Sequence, residues 1–156
     1  MDTEILIIGS GMVGMSLAHQ LKKRSLSNKI TILEKENDIG KHSSGRNSGV
    51  VHSGLYYKPD SLKAKVCVKG AKRLRKWVSN RNLYLNKCGK LILPTNEYLN
   101  TRIDELYDRG KKNGCNVEIW DLAKLKKKFP YVNLTCGRAL WSPDTSIISP
   151  KEILST

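Results

Sequence analysis

Gly9-Ser10-Gly11-Met12-Val13-Gly14 has the spacing G-x-G-x-x-G. Each glycine has a chemical use there. The first permits a tight turn, the second lets the backbone approach a pyrophosphate with no Cβ in the way, and the third lets a following helix pack close to the preceding strand. A helix that starts in such a loop offers unpaired N–H groups and the positive end of its dipole to phosphate. Ser10, Met12 and Val13 therefore join the three glycines as cofactor-binding candidates. Glu34 stands about 20 residues beyond Gly14, where a carboxylate accepts hydrogen bonds from ribose hydroxyls and repels a 2′-phosphate. That disfavours NADP. Lys35 follows it and is counted with the same site.

NAD and FAD share this unit, and the next segment separates them. Residues 42–57 read His42-Ser43-Ser44-Gly45-Arg46-Asn47-Ser48-Gly49-Val50-Val51-His52-Ser53-Gly54-Leu55-Tyr56-Tyr57. An NAD domain normally continues with another β-α repeat. A polar, Gly-rich stretch can instead bring hydroxyls and backbone N–H groups to a pyrophosphate, a ribityl chain and a flavin ring. FAD is the expected cofactor, and an NAD-dependent dehydrogenase is the rival.

The elements that must position these residues are legible from periodicity. Ile5-Leu6-Ile7-Ile8 runs into Gly9 as a strand expected to be buried on both faces, as in a parallel sheet. Met12 to Arg24 has a helical stripe of Val13, Leu17, Ala18 and Leu21, with Lys22, Lys23 and Arg24 in its last turn. Lys29 to Glu34 is a second strand, completing a β-α-β unit with a right-handed crossover. Residues 37–61 lack a period, and so long an aperiodic stretch is commonly functional. Residues 62–78 are helical, with Leu62, Val66, Cys67, Gly70, Ala71, Leu74, Trp77 and Val78 on one face and a cap at Asp60 or Ser61. Leu91 to Leu93 is a strand. Asn96 to Asn113 is a helix with Leu99, Ile103, Leu106 and Tyr107 inward and Gly114 at its end. Val117 to Trp120 is a strand, Asp121 caps a short basic helix that stops before Pro130, and Arg138 to Trp141 is a further strand.

Composition narrows the class. The 156 residues carry 28 Lys+Arg against 14 Asp+Glu, a formal charge of +14. A solvated basic surface explains this better than a nucleic-acid footprint, because the polar faces of helices are ordinarily charged and aromatics at 6% are too few for a base-stacking surface. Nucleic acid is therefore not an expected partner. Cys67, Cys88, Cys115 and Cys136 form no C-x-x-C pair and have no histidine at ligand spacing, so no metal site is expected and the thiols are read as reduced. No segment approaches the roughly 20 apolar residues of a membrane span. The start is acidic where a signal peptide needs a basic region. The expected location is cytoplasmic, with a peripheral contact at the inner face of the membrane left open.

Ser149-Pro150-Lys151-Glu152 has the form of a capping box with Pro at the first helical position, yet only four residues follow it. The expectation is a truncated helix, and with it a fragment of a longer protein. A short fraying tail is the alternative.

At residues 42–59 and beyond, the chain resembles a specific family. It is similar to the FAD-dependent oxidoreductases of the D-amino-acid oxidase and glycerol-3-phosphate dehydrogenase type, and within them to the L-2-hydroxyglutarate oxidase/dehydrogenases. The resemblance rests on Arg46 through Pro59, on Ser61-Leu62-Lys63-Ala64-Lys65 and on Cys88-Gly89-Lys90-Leu91-Ile92. It covers most of residues 3–93 and thins afterwards. Ser10 stands where the family commonly has Gly, Asp60 likewise, and Ser43-Ser44 replaces a more typical Gln-Thr pair. The resemblance implies an α/β fold: a Rossmann-like FAD-binding β-α-β unit followed by part of a mixed α+β substrate domain. Residues 1–86 are then the first part of the FAD-binding domain, 87–148 part of the substrate domain, and 149–156 the start of the truncated helix. Gly9, Gly11, Gly14 and Glu34 carry over as pyrophosphate and ribose contacts, and Ser43, Ser44, Asn47, Ser48 and Gly49 as contacts near the flavin.

The implied reaction is oxidation of an L-2-hydroxy acid, L-2-hydroxyglutarate foremost, to the 2-oxo acid by hydride transfer to the flavin, with oxygen or a quinone as final acceptor. A base must take the hydroxyl proton, and His52 is the candidate because imidazole titrates near working pH. A structural or flavin-contacting role for His52 is the alternative. Arg46 can neutralise a phosphate or carboxylate. Tyr56 and Tyr57 are read as packing residues before pocket walls, and His19 and His42 as ordinary helix and loop residues. An inactive remnant that binds a dinucleotide weakly is the remaining alternative.

Overall fold

The computed structural model describes residues 3–156. In chain order its elements are β1 (Ile5–Ile8), α1 (Met12–Lys23), β2 (Ile30–Leu33), β3 (Val50–Val51), α2 (Leu62–Ser79), β4 (Leu85–Asn86), β5 (Lys90–Ile92), α3 (Glu97–Lys112), β6 (Glu118–Asp121), α4 (Leu122–Lys128), β7 (Arg138–Ser142), β8 (Ser146–Ile148) and α5 (Pro150–Leu154). They fall into two compact units, Met1–Gly49 with Ser149–Thr156, and Val50–Ile148. These are units of packing, whereas the expected division at 86/87 is one of ligand-binding role.

In the first unit β1 and β2 pair in parallel, with Ile5 opposite Ile30 and Ile8 opposite Leu33. This is the expected β-α-β unit. The expectation that β1 is buried on both faces is not met. Ile7 is buried, but Leu6 is 53% and Ile8 85% exposed. Side chains alternate across a strand, so Leu6 and Ile8 share the face opposite Ile7. Ile7 lies on the α1 side, where its Cγ2 closes against Gly14. The α1 stripe is open as well: Val13 is 84% and Leu17 48% exposed, and no α1 residue is fully buried. A sheet of two strands covers too little surface to bury both a helix stripe and its own far face. The short α5 does form. The Ser149 hydroxyl accepts the Glu152 N–H at 3.3 Å, and Leu154 is buried, its side chain seated where a Cβ on Gly40 would be. Tertiary packing, not propensity, supports so short a helix.

The second unit holds two antiparallel sheets, ordered β3-β8-β4 and β5-β7-β6. β7 is central, with Leu91 opposite Trp141 and Trp120 opposite Ala139. Leu55, Ile103, Cys115, Val117 and Leu140 form one core, against which Leu106 and Tyr107 of α3 pack as expected. Trp120, Leu125 and Trp141 form another, with the two indoles stacked at 4.9 Å. Arg138 closes a bidentate fork on Asp104 at 2.7 and 2.8 Å and bonds Asn100 on α3, tying β7 to that helix. Hydroxyl, amide and carboxylate caps hold the helix starts: Ser61 accepts from Ala64, Asn96 from Leu99 and Asp121 from Lys124.

Of the two residues expected to cap α2, Ser61 does so. The reading of its inner face changes. The buried positions are Ala64, Ala71 and Val78, while Leu62 and Val66 of the expected inner face are 77% and 62% exposed. The stripe is rotated toward the small residues, which permit closer approach. β3, β4 and β8 escape the periodicity reading because two or three residues are too few to show alternation.

Candidate functional site

β1 delivers the chain into Gly9, whose φ of +100° lies where L side chains are strained. Its N–H donates to the Leu33 carbonyl at 2.7 Å, so the turn stays registered with the end of β2. Ser10 comes next and is 3% exposed. Its hydroxyl donates to Glu34 Oε2 at 2.7 Å and its N–H to the same oxygen at 2.8 Å. The Glu36 N–H donates to Oε1 at 3.1 Å. These bonds, the Ser10 hydroxyl first, hold the Glu34 carboxyl down from 4.5 to about 2. Glu34 is thus anionic at any physiological pH. The Lys35 N–H contributes to this lowering as well, so ribose hydroxyls would share this carboxylate with protein donors.

α1 starts without a side-chain cap of its own: its N-cap is Gly11, and the first turn contains no acid. Gly14 lies against the Gly9 carbonyl, in space that any Cβ would overlap. Helix and loop can approach this closely only with glycine there. The Met12 N–H donates to Ser44 Oγ at 2.9 Å, which pins the aperiodic segment to the loop. Asn47 shapes that segment: its Nδ2 donates to the carbonyls of Ser43 and Ser44, and its Oδ1 accepts the Gly49 N–H. The result is a cavity of about 330 Å³ lined by Gly9, Gly11, Glu34, Lys35, Ser43 and Ser44, together with Lys41 and His42.

The expected cofactor residues separate into groups. Gly9, Gly11, Glu34, Lys35, Ser43 and Ser44 converge on the cavity. Ser10, Met12, Gly14, Asn47 and Gly49 build its walls without lining it. Val13, Arg46 and Ser48 are exposed and stand outside it. His52 belongs to the other compact unit. It is held below the ordinary 6.5 by partial desolvation and then by the Lys90 ammonium. Lys90 Nζ also stands 4.7 Å from the Tyr56 ring centre, so Tyr56 packs against a cation.

Sequence reasoning did not single out Lys41, His42 or Lys90 as functional neighbours. His42 pairs with Glu36 at 2.8 Å and lines the cavity. The signal available for it was the Glu36/His42 pair flanking Gly40 in a segment without period. The serine at position 10 carried a signal too, since a hydroxyl beside the turn can reach an acid at the end of the neighbouring strand.

Among the described residues no group of three or more His, Cys, Asp or Glu gathers to hold a metal ion. No described helix is long and apolar enough to cross a membrane.

Comparison with known proteins bears on this geometry. A family model described as "FAD dependent oxidoreductase" matches residues 4–156. The L-2-hydroxyglutarate dehydrogenase, mitochondrial, of Dictyostelium discoideum is 40% identical over 96% of this chain and 34% of its own length. The human protein of the same description is 39% identical over 96% of this chain and 32% of its own. Among solved structures, the dithionite-reduced L-alpha-glycerophosphate oxidase of Mycoplasma pneumoniae with FAD bound superposes with a TM-score of 0.82 at 28% identity, covering 96% of this chain and 40% of that one. The chain therefore spans about a third of the length of the curated relatives it matches.

Proposed function

The chain belongs to the FAD dependent oxidoreductase family, and from that premise we propose that it serves the oxidation of an L-2-hydroxy acid, L-2-hydroxyglutarate foremost, to the 2-oxo acid. The substrate assignment is supported by the relatives at about 40% identity. The NAD-dependent alternative finds no support, because the matching family is FAD-dependent and the solved neighbour has FAD bound.

One observation carries the cofactor reading: an acid-free helix start whose N-cap is a glycine, over a glycine turn, closed on one side by an anionic Glu34. A dinucleotide fits that donor set. The Gly11 backbone at the helix start can approach phosphate while Ser44 holds the Met12 N–H, and Glu34 takes ribose hydroxyls. Ser10 fixes the Glu34 carboxylate in place, so that group needs no reorganisation on binding. Ser43 and Ser44 supply further polar atoms, and Lys35 and Lys41 positive charge. Bound FAD would supply the acceptor for a hydride from the substrate α-carbon. His52 takes the hydroxyl proton at its imidazole: desolvation and then the Lys90 ammonium lower its pKa and favour the unprotonated, proton-accepting ring. Lys90 beside it offers a cation for a substrate carboxylate. Residues 1–86 serve FAD, 87–148 serve substrate, and 149–156 close the first unit through Leu154. The final electron acceptor is oxygen or a quinone.

Titration of the chain with FAD and, separately, NAD, followed by tryptophan fluorescence, tests the cofactor. Saturable quenching by FAD alone is expected, and equal or stronger binding of NAD overturns it. In a protein extended to the length of its relatives, L-2-hydroxyglutarate should bleach the flavin, and bleaching by glycerol 3-phosphate instead reassigns the substrate. Oxygen uptake with and without a soluble quinone separates the acceptors. His52→Gln in that protein should remove the acidic limb of the pH profile. An unchanged profile takes His52 out of the proton transfer.

A further inference from the structure

A second cavity, of about 310 Å³, lies within the Val50–Ile148 unit and shares no residue with the dinucleotide loop. Arg75, Lys76 and Ser79 of α2 line one side of it. Lys87, just past β4, and Asp144 and Ser146, before and in β8, line the rest. Two features set it apart from an ordinary basic surface. None of the three cations has a carboxylate partner among the described residues. Arg75 donates through Nη1 to the backbone carbonyl of Asp144 at 2.8 Å, which orients the guanidinium without neutralising it. The second feature is Ser146. It is 1% exposed, and its Oγ has no hydrogen-bond partner. A buried hydroxyl without a partner is costly and uncommon in a native protein, and at the wall of a cavity a small shift of its side chain would bring it to a ligand oxygen.

We propose that this cavity is an oxyanion-binding site that accepts a small phosphate- or carboxylate-bearing molecule. The lining carries three cations against the one carboxylate of Asp144, so an anion is favoured. Arg75 presents a fork suited to a planar or tetrahedral oxyanion. Lys76 and Lys87 add point charges, and the hydroxyls of Ser146 and Ser79 donate to the ligand's oxygens. The volume suits a small metabolite, being at the lower end of the range for such sites. A neutral ligand leaves the cations without a role, and a cation is repelled by them.

The test is calorimetric titration of the complete chain with inorganic phosphate and, separately, with glutarate, against chloride at matched ionic strength. Saturable binding of phosphate, glutarate or both is expected, and their ratio tells a phosphate ligand from a dicarboxylate. Ser146→Ala deletes the buried hydroxyl and Lys87→Gln an exposed charge, so both variants should fold. Each should weaken binding by about tenfold, the order expected for one hydrogen bond to a charged group. Lys127→Gln, which removes the same charge from α4, should leave binding unchanged. Ser146→Ala should also match or exceed the parent's melting temperature in chloride, yet fall behind it in saturating phosphate or glutarate. Heats no larger than with chloride, or equal weakening by Lys127→Gln, overturn the site.

Discussion

The two compact units spend their side chains differently. The unit carrying the glycine loop has one buried strand residue, Ile7, and leaves Leu6, Ile8, Val13 and Leu33 largely exposed. Its order comes from polar bonds: Ser10 to Glu34, Met12 to Ser44, and Asn47 to its own neighbours. The Val50–Ile148 unit is the reverse. Leu55, Val78, Leu125, Ala139 and Leu140 have 1% exposure or less, and the indoles of Trp120 and Trp141 stack inside. The contrast teaches where binding and stability reside. A nucleotide site needs donors and acceptors held in place around open space. A scaffold needs apolar volume removed from water.

The comparison can be broken at several points. The largest effect should come from the packed unit. Leu140→Ala deletes a side chain with no exposure and should cost about 2–5 kcal/mol in denaturant unfolding. A loss below about 1 kcal/mol means that the core is not what holds this unit. Next comes Gly14→Val in the loop unit. The added side chain meets the Gly9 carbonyl, so FAD affinity should fall by more than about tenfold, some 1.4 kcal/mol. The tryptophan-monitored unfolding of the other unit should barely move. An unchanged FAD affinity refutes the close helix–loop packing.

A smaller change is expected from Asn96→Ala at the start of α3, about 1 kcal/mol for a lost cap, read from the denaturant midpoint. The subtlest concerns Glu34. Its folded pKa of about 2 lies below the ordinary 4.5. The stability that its ionised form contributes is therefore fully present above pH 4.5, and it is lost as pH falls through 2. Ser10→Ala removes the first of the bonds responsible and should raise the Glu34 pKa toward 4.5, as measured by carboxyl NMR titration. If the pKa of the parent chain is already near 4.5, the polar account of this unit fails.

Much of this was readable in the residues. The loop, the helix after it and the acid closing β2 follow from glycine spacing and periodicity, which act over a few residues. The helix starts at Ser61, Asn96, Asp121 and Ser149 were legible for the same reason, since a cap bonds only to its own first turn. The segment 37–61 was recognisable as functional because it had polar chemistry and no period. What it does locally was hidden. That Ser44 takes the Met12 N–H while Arg46 and Ser48 face solvent depends on how a loop folds back over some thirty residues.

The sequence by itself determined the dinucleotide motif, the order of the long elements and the family resemblance, because each rests on local spacing or on a contiguous run of side chains. Only the tertiary structure decided that Ser10 clamps Glu34, that Ile8 and Val13 stay exposed, and that β3, β4 and β8 meet in one sheet. It alone also gathered Arg75, Lys87 and the unpartnered Ser146 around one cavity. These are meetings of residues far apart in the chain, and neither propensity nor period encodes which distant partner a side chain finds.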